Sequence, residues 1–179
     1  LTESDLIARA RTGDEAAWET LTRQHQEAVF RLAYLILGDP ADAEDVAQET
    51  FIRAYRALDR FDMSRPLRPW LFSITANTAR NRLRSVGRYL SALNRFWRAD
   101  PAATAPTPPP EVNDATTLWQ AVRRLNDMDQ EIIYLRYFSA LSESETAQTL
   151  QIAAGTVKSR THRALERLRT IDSIQNKVS

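Results

Sequence analysis

The sequence predicts an all-α fold of two small helical domains, and three observations carry that expectation. Apolar residues recur at steps of three and four, with no alternating run long enough for a strand. Glycine, at four residues in 179, is too scarce to break those runs often. Proline gathers in one place: residues 100–110, DPAATAPTPPP, hold five prolines in eleven positions and no large apolar side chain. Such a segment builds no core and runs as a semi-extended tether. The expected organisation is a helical domain over 1–98, a linker over 99–112, and a second helical domain over 113–179.

Taken in order, Leu6, Ala10, Ala17, Leu21, Val29, Leu32 and Ile36 keep helical spacing until Gly38-Asp39-Pro40 stops the run. Pro40 and Asp42 open the next helix, ADAEDVAQETFIRAYRAL, whose apolar stripe is expected at Ala47, Phe51, Ala54 and Leu58. Residues 61–69, with Pro66 and Pro69, read as a loop. From Trp70 a third pattern runs through Leu71, Ile74, Thr78 and Leu83. Beyond the tether, residues 141–168 have the layout of a helix-turn-helix. Ser142 caps SESETAQTL, and Glu145 three residues later completes a capping box. Ala147 is small where two helices approach, residues 151–155 make the turn, and Thr156 caps or begins the last helix. Val157, Thr161, Ala164, Leu165 and Leu168 form that helix's buried face.

Charge narrows the function. The chain carries 24 basic and 23 acidic side chains, a net +1 that hides strong segregation. Residues 1–60 hold 7 basic and 12 acidic groups, 61–100 hold 8 and 2, 101–152 hold 3 and 7, and 153–179 hold 6 and 2. Two acidic blocks are each followed by a cationic one, the footprint of a polyanion partner. The absence of cysteine excludes a disulfide framework, a thiolate zinc site and a thiol sensor within this chain, and fits a cytoplasmic protein. No apolar run approaches the ~18 residues that cross a bilayer, so no membrane insertion is expected. The opening LTESDLIARARTGDE is too polar for a secretory leader.

Three segments carry chemistry. In GTVKSRTHRALERLR (155–169), five cations face one acid, and Lys158, Ser159, Arg160, Arg163 and Arg167 lie on the face left exposed. A helix of this kind fits the major groove, where Arg and Lys pair with guanine acceptors and other cations hold phosphates. In the 42–58 helix, Asp45, Gln48, Glu49, Ile52 and Arg56 share one line opposite the apolar stripe, and an exposed isoleucine among acids and amides marks a protein contact. In PWLFSITANTARNRLRS, Trp70 and Phe72 stand with Asn77, Arg80, Asn81, Arg82 and Arg84. These are side chains that stack on unpaired bases and hold a phosphate backbone.

The three motifs DAEDVAQETFIRAYRAL (42–58), WLFSITANTARNRLR (70–84) and GTVKSRTHRALERLR (155–169) occur in an order that resembles the bacterial RNA polymerase sigma factors of the extracytoplasmic-function (ECF) class. The resemblance spans nearly the whole chain. It implies a transcription initiation factor, with no enzymatic activity and no cofactor, that binds core RNA polymerase and promoter DNA. Asp45, Gln48, Glu49 and Ile52 would dock on the coiled coil of the polymerase's largest subunit. Trp70 and Asn77 match the helix that reads single-stranded −10 bases, and residues 63–67, with Met63 and Ser64, match a base-capturing loop. Arg80, Arg82 and Arg84 would hold the −10 backbone. Thr156, Lys158, Ser159, Arg160 and Arg163 would bind double-stranded −35 DNA, with Arg160 toward phosphate. The tether would follow the polymerase's RNA path, and an anti-sigma factor is an implied partner. The chain departs from the family pattern at Ser73, usually basic, at Gln151, often glycine, at Thr161, usually apolar, and at Asn126, where proline is common.

Two rival readings remain weaker. An autonomous helix-turn-helix regulator would explain the last helix and leave residues 42–84 without a role. A hard-cation enzyme site could draw on Asp39, Asp42, Asp45 and Glu49, but a helix N-terminus favours acids in any case, and His25 and His162 stand far apart in the sequence.

Overall fold

The computed structural model describes residues 2–97 and 114–175; the expected tether over 99–112 lies outside the described residues. Among the described residues the chain is helical and holds no strand. In order the helices are α1 (Glu3–Arg11), α2 (Glu15–Leu37), α3 (Pro40–Ala57), α4 (Leu67–Trp97), α5 (Asp114–Arg123), α6 (Asp127–Ile133), α7 (Glu143–Leu150) and α8 (Ala154–Gln175).

The first apolar run is two helices, not one. Gly13, at φ 88, ends α1, and Asp14 caps α2 by accepting from the Ala17 amide. A left-handed residue followed by an acidic cap is a stop-and-start signal. The pattern Leu6 to Ile36 ran across it because both helices present apolar residues to the same core. Gly38, at φ 75, closes α2, and Asp39 with Pro40 opens α3.

The stripe that α3 buries is Ala43, Val46, Thr50 and Ala54, while Ala47 and Phe51 are half-buried on its flank. Ala54 and Leu58 are buried as expected, whereas the first half of the stripe falls one position earlier, at Val46 and Thr50 rather than Ala47 and Phe51. Threonine hides well here because the Thr50 hydroxyl donates to the Val46 carbonyl at 2.8 Å, which satisfies it without a distant partner. α4 begins at Leu67 rather than Trp70 and takes in Pro69 within its first turn. That position lacks an intrahelical N–H bond in any helix, so proline costs little there. Leu67, Leu71, Phe72, Ala76 and Ala79 are buried, whereas Leu83 is 45% exposed. Small residues at 76 and 79 let α4 lie close against α2 and α3.

The second unit packs α5, α6 and α7 around α8. Asn126, at the usual proline position, caps α6 by accepting from the Asp129 amide at 3.0 Å. α6 runs into a wider turn over residues 134–138, closed by Ser139 N–H donating to the Tyr134 carbonyl at 2.9 Å. Ser142 and Glu145 form the expected capping box at the start of α7. Gln151 takes a left-handed conformation, φ 56 and ψ 42, in the turn where glycine is common. α8 then starts at Ala154, which puts Thr156 inside the first turn rather than at the cap. Its buried face is as expected: Val157, Thr161, Ala164 and Leu168 are buried and Leu165 is half-buried.

Candidate protein- and nucleic-acid-binding surfaces

On α3, the exposed line is real. Asp45, Gln48 and Ile52 are exposed and Glu49 is half-buried. Ile52 leaves 46% of its surface in solvent, an isolated apolar side chain beside Tyr55 at 44%. Glu49 is held by Arg53 one turn on, at 2.6 Å. Asp45 is not idle either, since its carboxylate meets Arg82 of α4 at 3.3 Å. The acids clustered here have other partners: Asp39 caps α3, Asp42 takes the Arg82 guanidinium, and Glu49 takes Arg53.

On α4, the expected −10 residues divide. Met63 and Ser64 are exposed in the turn before the helix. Asp62 accepts from the Ser64 amide at 3.0 Å and hydroxyl at 2.6 Å, which fixes that turn and holds the Asp62 carboxyl below the usual aspartate range. Trp70 is half-buried, tilted on Phe61 with ring centroids 4.8 Å apart, so one part of the indole is core and one part faces out. Asn77 is exposed two turns along. Phe72 is not a surface aromatic: at 1% exposure it belongs to the core. Of the three arginines, Arg82 pairs with Asp42 and Asp45, Arg80 pairs with Glu131 of α6 at 3.2 Å, and Arg84 is exposed.

On α8, Thr156, Lys158, Ser159 and Arg163 are exposed along one side. Arg160 sits lower and donates from Nη1 to Asp129 at 2.8 Å. Arg163 and Arg167, with Arg124 from the end of the α5 segment, line an open groove of about 420 Å³. Three guanidinium groups around one groove suit a phosphate backbone; Arg124 carried no signal in the sequence beyond its charge.

These surfaces fall on two matched families. Residues 21–89 match the Sigma-70 region 2 family and residues 121–170 match the Sigma-70, region 4 family. The chain is 32% identical over 173 residues to the ECF RNA polymerase sigma factor SigW of Bacillus subtilis, covering 91% of this chain and 92% of that protein. The chain belongs to the ECF RNA polymerase sigma factors. The sigma factor NccH of Alcaligenes xylosoxydans is 34% identical over 168 residues, with 91% and 90% of the two chains covered. Among solved structures, CnrH in complex with the cytosolic domain of CnrY superposes with a TM-score of 0.72 at 27% identity over 96% of this chain and 97% of that one. The sigma factor RpoE bound to the anti-sigma factor NepR from Bartonella quintana superposes at 0.68 with 25% identity, over 87% and 96%. Membership makes this chain a transcription initiation factor that brings RNA polymerase to promoters, and removes the autonomous regulator. No helix among the described residues is long and apolar enough to cross a membrane.

In this ECF factor the two helical units touch. α7 packs on α4, and the buried Thr149 hydroxyl donates to the Pro69 carbonyl at 3.2 Å. The Arg123 guanidinium lies against Gly38 at the C-terminal end of α2, where a cation faces the helix's negative pole. Glu131, 5% exposed, reaches Arg80 across the same cleft. Burial pushes the Glu131 carboxyl above the ordinary glutamate value, against the pull of Arg80 and helped by Asp127. Neither Glu131 nor Asp129 was singled out from the sequence. A lone acid on a short amphipathic helix has no signature until its partner, dozens of residues away, is folded beside it.

Proposed function

We propose that this sigma factor docks on the coiled coil of the largest polymerase subunit through Asp45, Gln48, Glu49 and Ile52 of α3. The observation that carries this is the division of α3: Asp45, Gln48 and Ile52 stay in solvent while Ala43, Val46, Thr50 and Ala54 fill the core. Ile52 and Tyr55, left about half exposed among the described residues, fit a protein partner.

The same reading gives α4 and its preceding turn to the −10 element. Met63 and Ser64 capture a base extruded from the duplex, at a cost of a few kcal/mol that the pocket offsets. Trp70 and Asn77 read the unpaired strand, and Arg80, Arg82 and Arg84 hold its backbone. Thr156, Lys158, Ser159 and Arg163 of α8 meet the −35 duplex, with Arg160 beside them toward the phosphate edge. Domain bounds of 1–98 and 113–179, joined by a tether over 99–112, fit this split. Core polymerase fixes both readers at promoter spacing, so the second DNA contact becomes effectively intramolecular. Free sigma factor then binds DNA weakly and with steep salt dependence, because phosphates supply much of the attraction.

An anti-sigma factor is the second proposed protein partner. The support is the likeness to RpoE, which is held by the anti-sigma factor NepR in its solved complex. The protein acts in the cytoplasm, where polymerase is, as a binding protein without catalysis or cofactor.

Co-elution with cognate core polymerase tests the docking line. Wild type should elute with core, and a Gln48→Ala/Glu49→Ala/Ile52→Ala variant should not. Equal co-elution of the variant would remove α3 as the docking helix.

A further inference from the structure

The recognition helix has a shallow hold on its own domain. Over residues 154–170, the part whose burial is described, its buried residues are Val157, Thr161, Ala164 and Leu168, most of them short, and the Thr161 hydroxyl is buried without a hydrogen-bond partner. Short side chains and one unsatisfied hydroxyl fix a helix's depth better than its rotation about its axis. At 3.6 residues per turn, Arg160 and Arg167 lie two turns apart on one edge of that buried face, and Arg163 lies about 60° further toward solvent.

Both edge arginines converge on one carboxylate. Asp129, 4% exposed, accepts from Arg160 Nη1 at 2.8 Å through Oδ1, and its Oδ2 lies 3.5 Å from Arg167 Nη1. Its own orientation is fixed in turn. Asn126 Nδ2 donates to Oδ2 at 2.6 Å, and the Asp129 amide donates back to Asn126 Oδ1 at 3.0 Å. The carboxylate is therefore a rigid post at the start of α6, gripping α8 at two points along one edge.

We infer that Asp129 is a positioning residue for −35 recognition, acting through Arg160 and Arg167 to set the rotation of α8. The inference rests on the proposed −35 role of α8 and adds the group that aims it. A rotation of about 20° moves a side-chain tip ~6 Å from the axis by about 2 Å. That is wider than the whole spread of a hydrogen-bond distance, about 0.5 Å. Lys158, Ser159 and Arg163 keep a base-edge register only while the grip holds. On this account the Nη1 of Arg160 is turned inward to Asp129, and its proposed phosphate contact comes second to that grip.

The test turns on sign. If Asp129 were only an acid near DNA, replacing it with asparagine would remove repulsion and strengthen binding to every duplex alike. A positioning role demands that specific and non-specific binding part company. The probes are a −35 duplex selected by wild-type holoenzyme from a randomised pool, and the unselected pool itself. Holoenzyme carrying Asp129→Asn should bind the pool as well as wild type or better, yet lose roughly tenfold in preference for the selected duplex, the scale of one lost base-edge contact. Single-stranded −10 oligonucleotide binding should be unchanged. Arg160→Gln gives the independent arm, at a side chain 34% exposed. As a strut it loses preference while the slope of log affinity against log salt stays put; as a phosphate contact it weakens all duplexes evenly and lowers that slope by about one. If Asp129→Asn unfolds the chain, the Arg160 arm decides alone. Full preference retained in both variants, or an even loss with a lowered slope, overturns the inference. A wild-type holoenzyme that enriches no duplex overturns the −35 reading itself, a separate failure.

Discussion

Replacing Glu131 by glutamine should leave the protein as stable as before or slightly more so, although it breaks a buried ion pair. Glu131 Oε1 lies 3.2 Å from Arg80 Nε, which at an effective dielectric near 20 is worth about 5 kcal/mol of attraction. Against it stands the cost of taking the carboxylate out of water, several kcal/mol. A further ~1–3 kcal/mol follows from Oε2, which is buried without a hydrogen-bond partner. The two sides nearly cancel, and the raised carboxyl pKa shows which one prevails: burial outweighs Arg80. Removing one partner of a buried pair usually costs ~3–5 kcal/mol because the other charge is stranded. Here the Nε of Arg80 is buried without a hydrogen-bond partner even beside Glu131, but 30% of the side chain stays in solvent, so the charge is only partly stranded. The expected change is between 0 and about 1 kcal/mol in favour of the variant, read by urea denaturation of the full chain at pH 7.

A pH series sharpens it. The carboxyl holds its proton to higher pH in the folded chain than in the unfolded one. Wild-type stability therefore falls as pH rises from the ordinary glutamate value through the raised one. The groups around it are Arg80, Arg84, Asp127 and Tyr134, and burial pushes the Tyr134 hydroxyl up to about 12. The variant's advantage should grow as pH rises through the raised value and vanish below about pH 4. A loss of 3 kcal/mol or more at pH 7 would refute the reasoning and mark the pair as net stabilising.

Other substitutions report on local terms. Ser142→Ala should cost about 1 kcal/mol of stability by uncapping α7. Hydrogen bonds from Ser142 hold the Glu145 carboxyl below its usual range, so the cap's contribution is complete above the ordinary glutamate value and is lost as pH falls through the lowered one; a denaturation series from pH 7 to 3 checks this. Gln151→Gly should stabilise by about 0.5–1 kcal/mol, since a non-glycine side chain is strained at its left-handed φ of 56. Gly38→Ala should destabilise by about 1–2 kcal/mol, because φ is 75 there and a Cβ would collide with the Arg123 guanidinium. Adding Arg123→Ala should recover the collision part and leave the backbone part, a split that thermal melts of the three chains would show.

Much of the DNA-binding half was legible because its signals are local. Ser142 with Glu145, the buried set from Val157 to Leu168, and the turn at Gln151 each depend on residues within a few positions of one another. The exposed line of α3 was legible for the same reason. Errors came where two helices share a core, as at Gly13, or where proline sits in a first turn, as at Pro69. Phe72 was misplaced because an aromatic among arginines reads alike whether it stacks on a base or on Leu71's neighbours. Least legible were the long-range pairs: Arg82 with Asp42, Arg80 with Glu131, and Arg160 with Asp129 lie 40, 51 and 31 positions apart.

Those pairs also explain the alternating charge. The acidic stretch over 101–152 supplies Glu131 to the cationic stretch before it and Asp129 to the cationic stretch after it. The two acids do opposite work. Asp129 joins α6 to α8 within one unit, so DNA can bind without breaking that pair. Glu131 joins α6 to α4 across two units, through a 3.2 Å charge contact with Arg80 that makes no hydrogen bond at Nε. A strut should be strong and a cross-domain contact should be easily surrendered. The geometry agrees, with Asp129 engaged through both oxygens and Glu131 left with one oxygen unpaired. Near-neutral net charge in this sigma factor is thus not a weak claim on DNA. Within one acidic stretch, Asp129 ties down cations of α8 through both oxygens, while Glu131 meets a cation of α4 with one oxygen left unpaired.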